Sequence, residues 1–317
     1  RVDRIALRLV ALGVEPGDVV SYQLPNWWQF TALHLACVRI GAVTNPVMPI
    51  FRHRELEFML GLAESKVFIV PRIFRAFDYP KMVEEIRPKL PALKHVFVMG
   101  GEGAQSFEDH FLKERLEDRR DAAAVLKGRK LKPNDVMQLL YTSGTTGEPK
   151  GVLHTSNTIF ANATQVAKRM SLTHTDAVLM ASPMAHQTGF GLGMIMPLLV
   201  HAKSVLQDIW DAEVAMQRVQ DESVTFTMAA TPFLADMTDS PVLGNYDIRS
   251  LKVFASGGAP IPRALAIRAA EKLKANIVSV WGMTENMAVT ITKLNDPGEK
   301  IFNTDGVSVP GMEIRVI

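Results

Sequence analysis

The most distinctive stretch of this sequence is Tyr141-Thr142-Ser143-Gly144-Thr145-Thr146-Gly147-Glu148-Pro149-Lys150-Gly151, at the end of an apolar run that predicts a β-strand at 136–141. Its eleven residues include three glycines, four Ser or Thr hydroxyl groups and one lysine. Glycines let backbone N–H groups turn toward an anion, hydroxyl groups donate further hydrogen bonds, and a lysine adds a point charge for phosphate. The composition therefore predicts a loop that binds a polyphosphate.

The spacing of this loop differs from that of a Walker A loop. Counting from Gly144, Pro149 occupies the place of the second glycine, and Lys150 is followed by Gly151 rather than by Ser or Thr. Residues 151–154 predict a short strand where a P-loop would continue into a helix. This disfavours a P-loop kinase or GTPase. The alternative to a phosphate-binding loop is an ordinary Gly/Ser/Thr-rich surface loop.

Short apolar strands alternate with helical patterns on both sides of the loop. Strands are predicted at 19–24, 66–70 and 95–99 before it and at 177–180, 204–206, 225–227, 251–255 and 277–280 after it. This rhythm predicts an α/β fold: two similar subdomains with mostly parallel sheets covered by helices, plus the start of a β-rich subdomain. A charged segment at 100–134 separates the halves, so the predicted subdomains are 1–134, 135–304 and 305–317.

Composition excludes several classes of protein. The 317 residues allow two or three domains, and 47% are hydrophobic, as in ordinary globular proteins. Lys and Arg (35) nearly balance Asp and Glu (33), which gives a net charge of +2 and no argument for a nucleic-acid partner. No apolar run reaches the ~18 residues that span a bilayer, so stable membrane insertion is not expected. The single cysteine, Cys37, excludes a disulfide scaffold and favours the cytoplasm.

Both ends of the chain have features that are typical of a fragment. Arg1 is not an initiator Met, and a strand-like alternation at 312–317 stops without a polar tail. We therefore expect a fragment of a longer protein.

Four segments together resemble the adenylate-forming superfamily, which includes acyl- and aryl-CoA synthetases, firefly luciferase and the adenylation domains of peptide synthetases. They are Thr142 to Gly151, Pro183-Met184-Ala185-His186, Ser256-Gly257-Gly258-Ala259-Pro260 and Trp281-Gly282-Met283-Thr284-Glu285. The segment 306–313 also fits, and the resemblance covers nearly the whole chain. It departs from the family at Trp281, where the family more often has Tyr.

The resemblance implies a reaction with ATP, Mg²⁺ and a carboxylic acid that gives an acyl-adenylate and pyrophosphate, after which the CoA thiol forms a thioester. It implies that Lys150 grips the β- and γ-phosphates, Thr284 bonds the α-phosphate, Glu285 binds the metal, and His186 lies beside the carboxylate. The implied ATP/AMP-binding set is Thr142, Ser143, Gly144, Thr145, Thr146, Gly147, Lys150, Gly258, Ala259, Pro260, Trp281, Gly282, Met283 and Thr284.

The implied acid pocket contains His186, Phe190, Ser256, Gly257, Gly282, Met283 and Met287. Peptide-synthetase domains carry an acidic residue for the substrate amine just after the His-type motif, whereas the matching stretch here, 187–191, has none. An apolar short- or medium-chain, alicyclic or aromatic acid is therefore expected, with a carboxylate–CoA ligase as the favoured function. The alternatives are an adenylation enzyme that loads a carrier protein and a non-catalytic nucleotide- or acyl-binding module. The family's ribose-binding Asp, its catalytic Lys and its C-terminal lid domain are expected to lie outside this chain, and the oligomeric state stays open.

Overall fold

Two sheets, each dominated by parallel strands, organise the chain. The computed structural model describes residues 1–142 and 149–315. The chain divides into a first unit, Arg1–Asn157, and a second unit, Thr158–Ile317.

The first unit is built around a six-stranded sheet with the order β6-β3-β1-β2-β7-β8. Its strands pair in parallel except β8, which is antiparallel to β7, and β4 and β5 form a separate hairpin. The elements are α1 Val2–Ala11, β1 Val19–Tyr22, α2 Trp28–Ile40, β2 Val43–Pro46, α3 His53–Leu62, β3 Val67–Pro71, β4 Ile73–Phe74, β5 Phe77–Asp78, α4 Tyr79–Ile86, β6 His95–Met99, α5 Ala122–Leu126, β7 Val136–Thr142 and β8 Lys150–Thr155.

The charged segment at 100–134 belongs to the first unit. It forms short helical turns and α5, and the buried side chains of Phe107 and Phe111 anchor it. The first sheet continues beyond it, because Gln138 of β7 pairs with Thr44 of β2. The two compact units of the chain meet after Asn157, and the subdomain bounds 1–134, 135–304 and 305–317 stay predictions.

The second unit is built around a seven-stranded sheet with the order β10-β9-β11-β12-β13-β14-β15. Strands β10 to β13 in this order are parallel, and β14 and β15 continue the sheet in antiparallel fashion. The elements are α6 Ser156–Arg169, which begins at the boundary, then β9 Ala177–Met180, α7 Met196–Val200, β10 Lys203–Leu206, α8 Ala212–Glu222, β11 Phe226–Ala229, α9 Thr231–Thr238, β12 Val253–Gly257, α10 Arg263–Leu273, β13 Asn276–Met283, β14 Met287–Ile291, α11 Gly298–Asn303 and β15 Val307–Ser308.

Both units confirm the predicted α/β class with mostly parallel sheets. In the second unit, the core lies between one face of the sheet and α8, α9 and α10, and it includes Leu179, Phe254 and Ile277. After residue 304, the described residues add β15 to the edge of this sheet. A β-rich subdomain that begins at residue 305 stays a prediction.

Two features of the described residues concern membranes and cysteine chemistry. None of the helices in the described ranges has the length and apolar character needed to cross a membrane. Cys37 is a free cysteine buried in the first unit, and burial raises the pKa of its thiol. Cys37 is therefore a packing residue rather than a nucleophile.

His34 should make the stability of the first unit depend on pH. Its buried ring lies 3.2 Å from the Thr44 hydroxyl, which itself donates to the Met137 carbonyl, so Nδ1 carries the proton of a neutral imidazole. Burial lowers the pKa of His34 from 6.5 to about 3. The folded state thus binds this proton more weakly than the unfolded state, and stability is lost as the pH falls below 6.5.

We expect the wild-type protein to lose about 2 kcal/mol of unfolding free energy from His34 between about pH 6.5 and about pH 5, and His34→Asn to lose much less. Urea unfolding at the two pH values measures the difference. The exposed His174→Asn is the matched control and should keep the wild-type pH dependence. An equal pH dependence in His34→Asn would contradict a buried neutral His34.

Candidate functional site

Three of the predicted segments follow strands of the second sheet. The segment 183–186 follows β9, the segment 258–260 follows β12, and the segment 281–284 contains the last residues of β13. Because β9, β12 and β13 run parallel, their carboxyl ends meet at one edge of the sheet, the usual position of ligand sites in α/β proteins. The fold of the second unit thus brings together segments that are far apart in sequence.

The phosphate-loop motif lies in the first unit. Its ends, Thr142 and Lys150, are directly paired in the antiparallel ladder of β7 and β8, and Lys150 is exposed. The Tyr141 hydroxyl donates to the Met59 carbonyl over 2.7 Å, which ties the end of β7 to α3. The predicted residues Ser143, Gly144, Thr145, Thr146 and Gly147 lie outside the described residues.

A cavity of about 560 Å³ opens at the carboxyl edge of the second sheet, on the side of α10 and α11. This volume is within the usual range for small-molecule sites. The predicted residues Gly258, Ala259, Pro260, Trp281 and Gly282 all line the cavity. Further lining residues that sequence reasoning missed include Ile261, Arg263, Ala266, Ser279, Ile301, Phe302, Asn303, Thr304 and Asp305.

Hydrogen bonds from outside the motifs hold the walls of this cavity. The Thr231 hydroxyl, at the start of α9, donates to the carbonyl oxygens of Ala259 and Pro260 over 3.3 Å each. The Ser279 hydroxyl donates to a carboxylate oxygen of Asp305 over 3.2 Å. Thr231, Ser279 and Asp305 therefore hold the walls of the cavity in place. No local sequence motif predicted these three residues.

Two glycines let the backbone at this edge come closer than any side chain would allow. A Cβ on Gly257 would overlap the carbonyl oxygen of Val280, and a Cβ on Gly282 would overlap that of Met287. The register of β13 and β14 also shifts at Gly282, directly after Trp281, and Trp281 is left 44% exposed. An aromatic face is thus available to a ligand at the mouth of the cavity.

His186 is held in a tight turn after β9. Its backbone N–H donates to the Pro183 carbonyl over 2.9 Å, and the Thr188 N–H donates to its Nδ1 over 3.2 Å. Although part of the ring is exposed, desolvation by the surrounding protein lowers its pKa from 6.5. A neutral ring whose Nδ1 accepts a hydrogen bond carries its proton on Nε2. His186 can therefore donate one hydrogen bond to an anion, but it brings no positive charge.

The predicted acid pocket divides between the two faces of the sheet. Phe190 is fully buried in a π-helical segment, Gly189–Ile195, whose residues are all buried. Met287 is also buried. Ser256 pairs with Ser279, so its side chain shares the face of the cavity, while Gly257 belongs to the other face. The Ser256 hydroxyl is buried and has no hydrogen-bond partner in the described part of the chain.

Thr284, Glu285 and Met283 occupy the turn between β13 and β14. Thr284 is half-buried, and the side chains of Glu285 and Met283 are exposed. Within residues 1–142 and 149–315, no group of three or more His, Cys, Asp or Glu side chains could hold a metal. A lone exposed carboxylate still suits Mg²⁺, which takes one or two protein carboxylates and completes its shell with phosphate oxygens and water. Glu285 fits a metal that arrives with a nucleotide.

A parallel α/β sheet with a small-residue loop, an aromatic face and a cavity at its carboxyl edge is an arrangement that suits a nucleotide. The family model of the AMP-binding enzymes matches residues 1–317. The chain belongs to the AMP-binding enzyme family, which confirms the resemblance carried by the motifs.

Relatives within this family are ligases by name. The chain is 32% identical to the medium-chain fatty-acid–CoA ligase of Escherichia coli, over 98% of this chain and 54% of the relative. It is 30% identical to the 2,3-dihydroxybenzoate–AMP ligase of Bacillus subtilis, over 100% of this chain and 57% of the relative. The anthranilate–CoA ligase AuaEII, solved with anthranoyl-AMP, has the same fold, with a TM-score of 0.83, 23% identity, and 98% of this chain and 58% of that chain covered. The chain thus spans a little more than half the length of these relatives.

Thr231 provides a test of how the cavity is positioned. Thr231→Val removes the hydroxyl that holds the Ala259 and Pro260 carbonyls, and we expect it to weaken AMP binding about threefold, the value of one partly exposed hydrogen bond. Isothermal titration with AMP measures this. Thr231→Ser keeps the hydroxyl and should bind as the wild type does, whereas equal weakening in both variants would show that the hydroxyl is not responsible.

Proposed function

We propose that the protein containing this chain is an ATP-dependent carboxylate–CoA ligase. A carboxylate oxygen of the acid attacks the α-phosphorus of ATP, and pyrophosphate leaves with the electron pair of the broken P–O bond. The thiolate of CoA then attacks the acyl carbonyl, the C–S bond forms, and AMP leaves. The names of the relatives support the two half-reactions, since one is a fatty-acid–CoA ligase and another an AMP ligase.

The observation that carries the proposal is the arrangement at the edge of the second sheet. On one face lies a cavity of nucleotide size, lined by Gly258, Ala259 and Trp281. On the other face, Gly257 and the buried Gly189–Ile195 segment form an apolar layer. A nucleotide on one face and an apolar acid on the other would have their reacting ends close together at the edge of this backbone layer, where an adenylation reaction needs direct contact between them.

Each predicted polar residue has a proposed task. The glycines and hydroxyls of the phosphate loop, with Lys150, bind the β- and γ-phosphates, and the Thr284 hydroxyl bonds the α-phosphate. The Nε2–H of the neutral His186 donates to the acid carboxylate and orients it. An ionised carboxylate needs no general base, which agrees with a histidine that the protein keeps neutral.

Glu285 is the proposed protein ligand for Mg²⁺. When bound, the metal screens the negative charges of the phosphate oxygens and so lowers the repulsion between two anionic substrates. The turn from β13 to β14 keeps the Glu285 carboxylate exposed at the sheet edge, where it is free of a competing salt bridge among the described residues.

The acid is proposed to be apolar, because the stretch after His186 carries no acidic residue for a substrate amine. The acceptor is proposed to be CoA, as in the name of the Escherichia coli relative. The alternative acceptor is a carrier protein. The Bacillus subtilis relative is named an AMP ligase, a name that does not include CoA, and it is therefore compatible with this alternative. The test is whether the product thioester forms with free CoA.

Lys150 and Glu285 provide the test of the proposed site. We expect Lys150→Ala and Glu285→Gln to lower acid-dependent pyrophosphate release about a hundredfold each, since both groups oppose charge in the transition state. The assay uses protein from the complete open reading frame and a panel of short-chain, medium-chain, alicyclic and aromatic acids.

Lys130→Ala and Glu271→Gln remove the same charges from exposed positions away from the site and should leave the rate unchanged. Wild-type rates in Lys150→Ala and Glu285→Gln would refute the site assignment. Binding of AMP without pyrophosphate release from any acid would favour a nucleotide-binding module instead of an enzyme.

A further inference from the structure

The turn that carries Glu285 returns to the sheet through an unusual backbone conformation. The Asn286 N–H closes this turn by donating to the Met283 carbonyl over 3.2 Å, so Thr284 and Glu285 occupy its two corner positions. Met287, the first residue of β14, then has a φ of 58°, in the left-handed region where a Cβ crowds the backbone. Glycine is the usual residue for this conformation. A methionine there needs the surrounding protein to impose it.

The side-chain amide of Asn162 imposes this conformation. Asn162 lies in α6, and its Nδ2 donates to the carbonyl oxygens of Asn286 over 3.2 Å and of Ala288 over 2.7 Å. Its Oδ1 accepts from the Ala288 N–H over 3.3 Å. These three hydrogen bonds hold the backbone on both sides of Met287, so rotation of either adjoining peptide would break at least one of them.

The helix itself does not explain an asparagine at this position. Asparagine is a weaker helix former than alanine or leucine, and a buried amide costs free energy unless it is hydrogen-bonded. The buried residues near Asn162 in α6, which are Ile159, Ala163 and Val166, are apolar. Because the side-chain hydrogen bonds of Asn162 run to the turn rather than along the helix, its contribution is to the turn.

A second side chain of α6 holds the opposite end of β14. Arg169 donates from Nη1 to the carbonyls of Ile291 over 3.2 Å and of Val307 over 3.0 Å, and from Nη2 to that of Ser308 over 3.0 Å. Asn162 and Arg169 are about two helical turns apart and so lie on the same side of α6. The helix therefore holds β14 at both ends, and the Asn162 end is the one that adjoins the turn.

We propose that Asn162 is a positioning residue for the metal ligand Glu285. The inference rests on the proposed function, because it concerns the metal of that site. Mg²⁺ demands near-ideal octahedral geometry, so a single protein carboxylate must meet the phosphate-bound ion at a defined place. Glu285 is exposed at the corner of the turn. Asn162 holds this turn from the helix, so the carboxylate is in position before the nucleotide arrives and no ordering is needed on binding.

The test is the affinity for ATP with and without Mg²⁺. Isothermal titration of protein from the complete open reading frame, without an acid so that no reaction occurs, gives both dissociation constants. The dissociation constant in EDTA divided by that in saturating Mg²⁺ is the metal enhancement. We expect Asn162→Ala to lower the metal enhancement about tenfold, the usual effect of losing a residue that holds a metal ligand in place. Its affinity for ATP in EDTA should change much less.

Two comparisons show whether Asn162 acts through Glu285. Arg169→Ala is the matched control, since it removes hydrogen bonds between α6 and β14 at the end away from the turn, and it should keep the wild-type metal enhancement. In a Glu285→Gln background, Asn162→Ala should lower the metal enhancement no further, because the carboxylate that it positions is already absent. An unchanged metal enhancement in Asn162→Ala, or an equal drop with and without the Glu285 carboxylate, would overturn the proposal.

A double variant tests whether the amide acts by holding the positive φ of Met287. Glycine adopts this conformation without help. The double variant Asn162→Ala/Met287→Gly should therefore fold, even if Asn162→Ala alone does not, and should regain most of the wild-type metal enhancement. A folded double variant whose metal enhancement stays about tenfold below the wild type would count against the proposal.

Pyrophosphate release separates this inference from the proposed function. If the variants change the metal enhancement as expected while no acid gives pyrophosphate, the positioning role stands and the ligase function fails. If acids give pyrophosphate at rates that Glu285→Gln lowers, while Asn162→Ala keeps the wild-type metal enhancement, the ligase function stands and the positioning role fails.

Discussion

The close approach of backbone to backbone at the carboxyl edge of the second sheet is the constraint on which the site depends. Carbonyl oxygens of Val280 and Met287 occupy the places where Cβ atoms of Gly257 and Gly282 would be. These carbonyls belong to strands of the sheet, so they have little freedom to withdraw, and even alanine at either glycine would separate neighbouring strands. Because the sheet at this point is one backbone thick, the cavity beside Trp281 and the Met228 side chain beside Gly257 are close neighbours on opposite faces.

The electrostatic character of this edge depends on which polar side chains already hydrogen-bond within the protein. His186 is neutral, and the hydroxyls of Thr231 and Ser279 donate to oxygen atoms of the protein itself. Asp305 places a carboxylate on the cavity wall, which repels phosphate and attracts hydroxyl or amino groups. The Asp305 carboxylate therefore favours a nucleotide that turns its base or ribose, rather than its phosphates, toward this wall.

Sequence reasoning identified the parts of the site that are contiguous. The loop Gly258–Pro260 and the turn Trp281–Gly282 carry local signals, and both line the cavity. Thr231 and Asp305 carry no such signal, because their roles arise when α9 and the end of α11 fold against those segments. The pairing of β7 with β2 was also beyond the sequence, because an apolar run predicts a strand but not the sheet that it joins. The roles of Lys150 and Glu285 stay predictions that the fold accommodates.

Met287 shows why a large side chain can be retained where glycine would relieve the backbone. Its φ of 58° lies in the left-handed region, which disfavours a β-branched residue in particular. Glycine at this position would leave an apolar void over Gly191, whose missing side chain leaves the space that the Met287 thioether fills, and such a void costs packing energy. The Asn162 amide hydrogen-bonds the backbone of Asn286 and Ala288 on either side of Met287, and these bonds hold the unusual conformation in place.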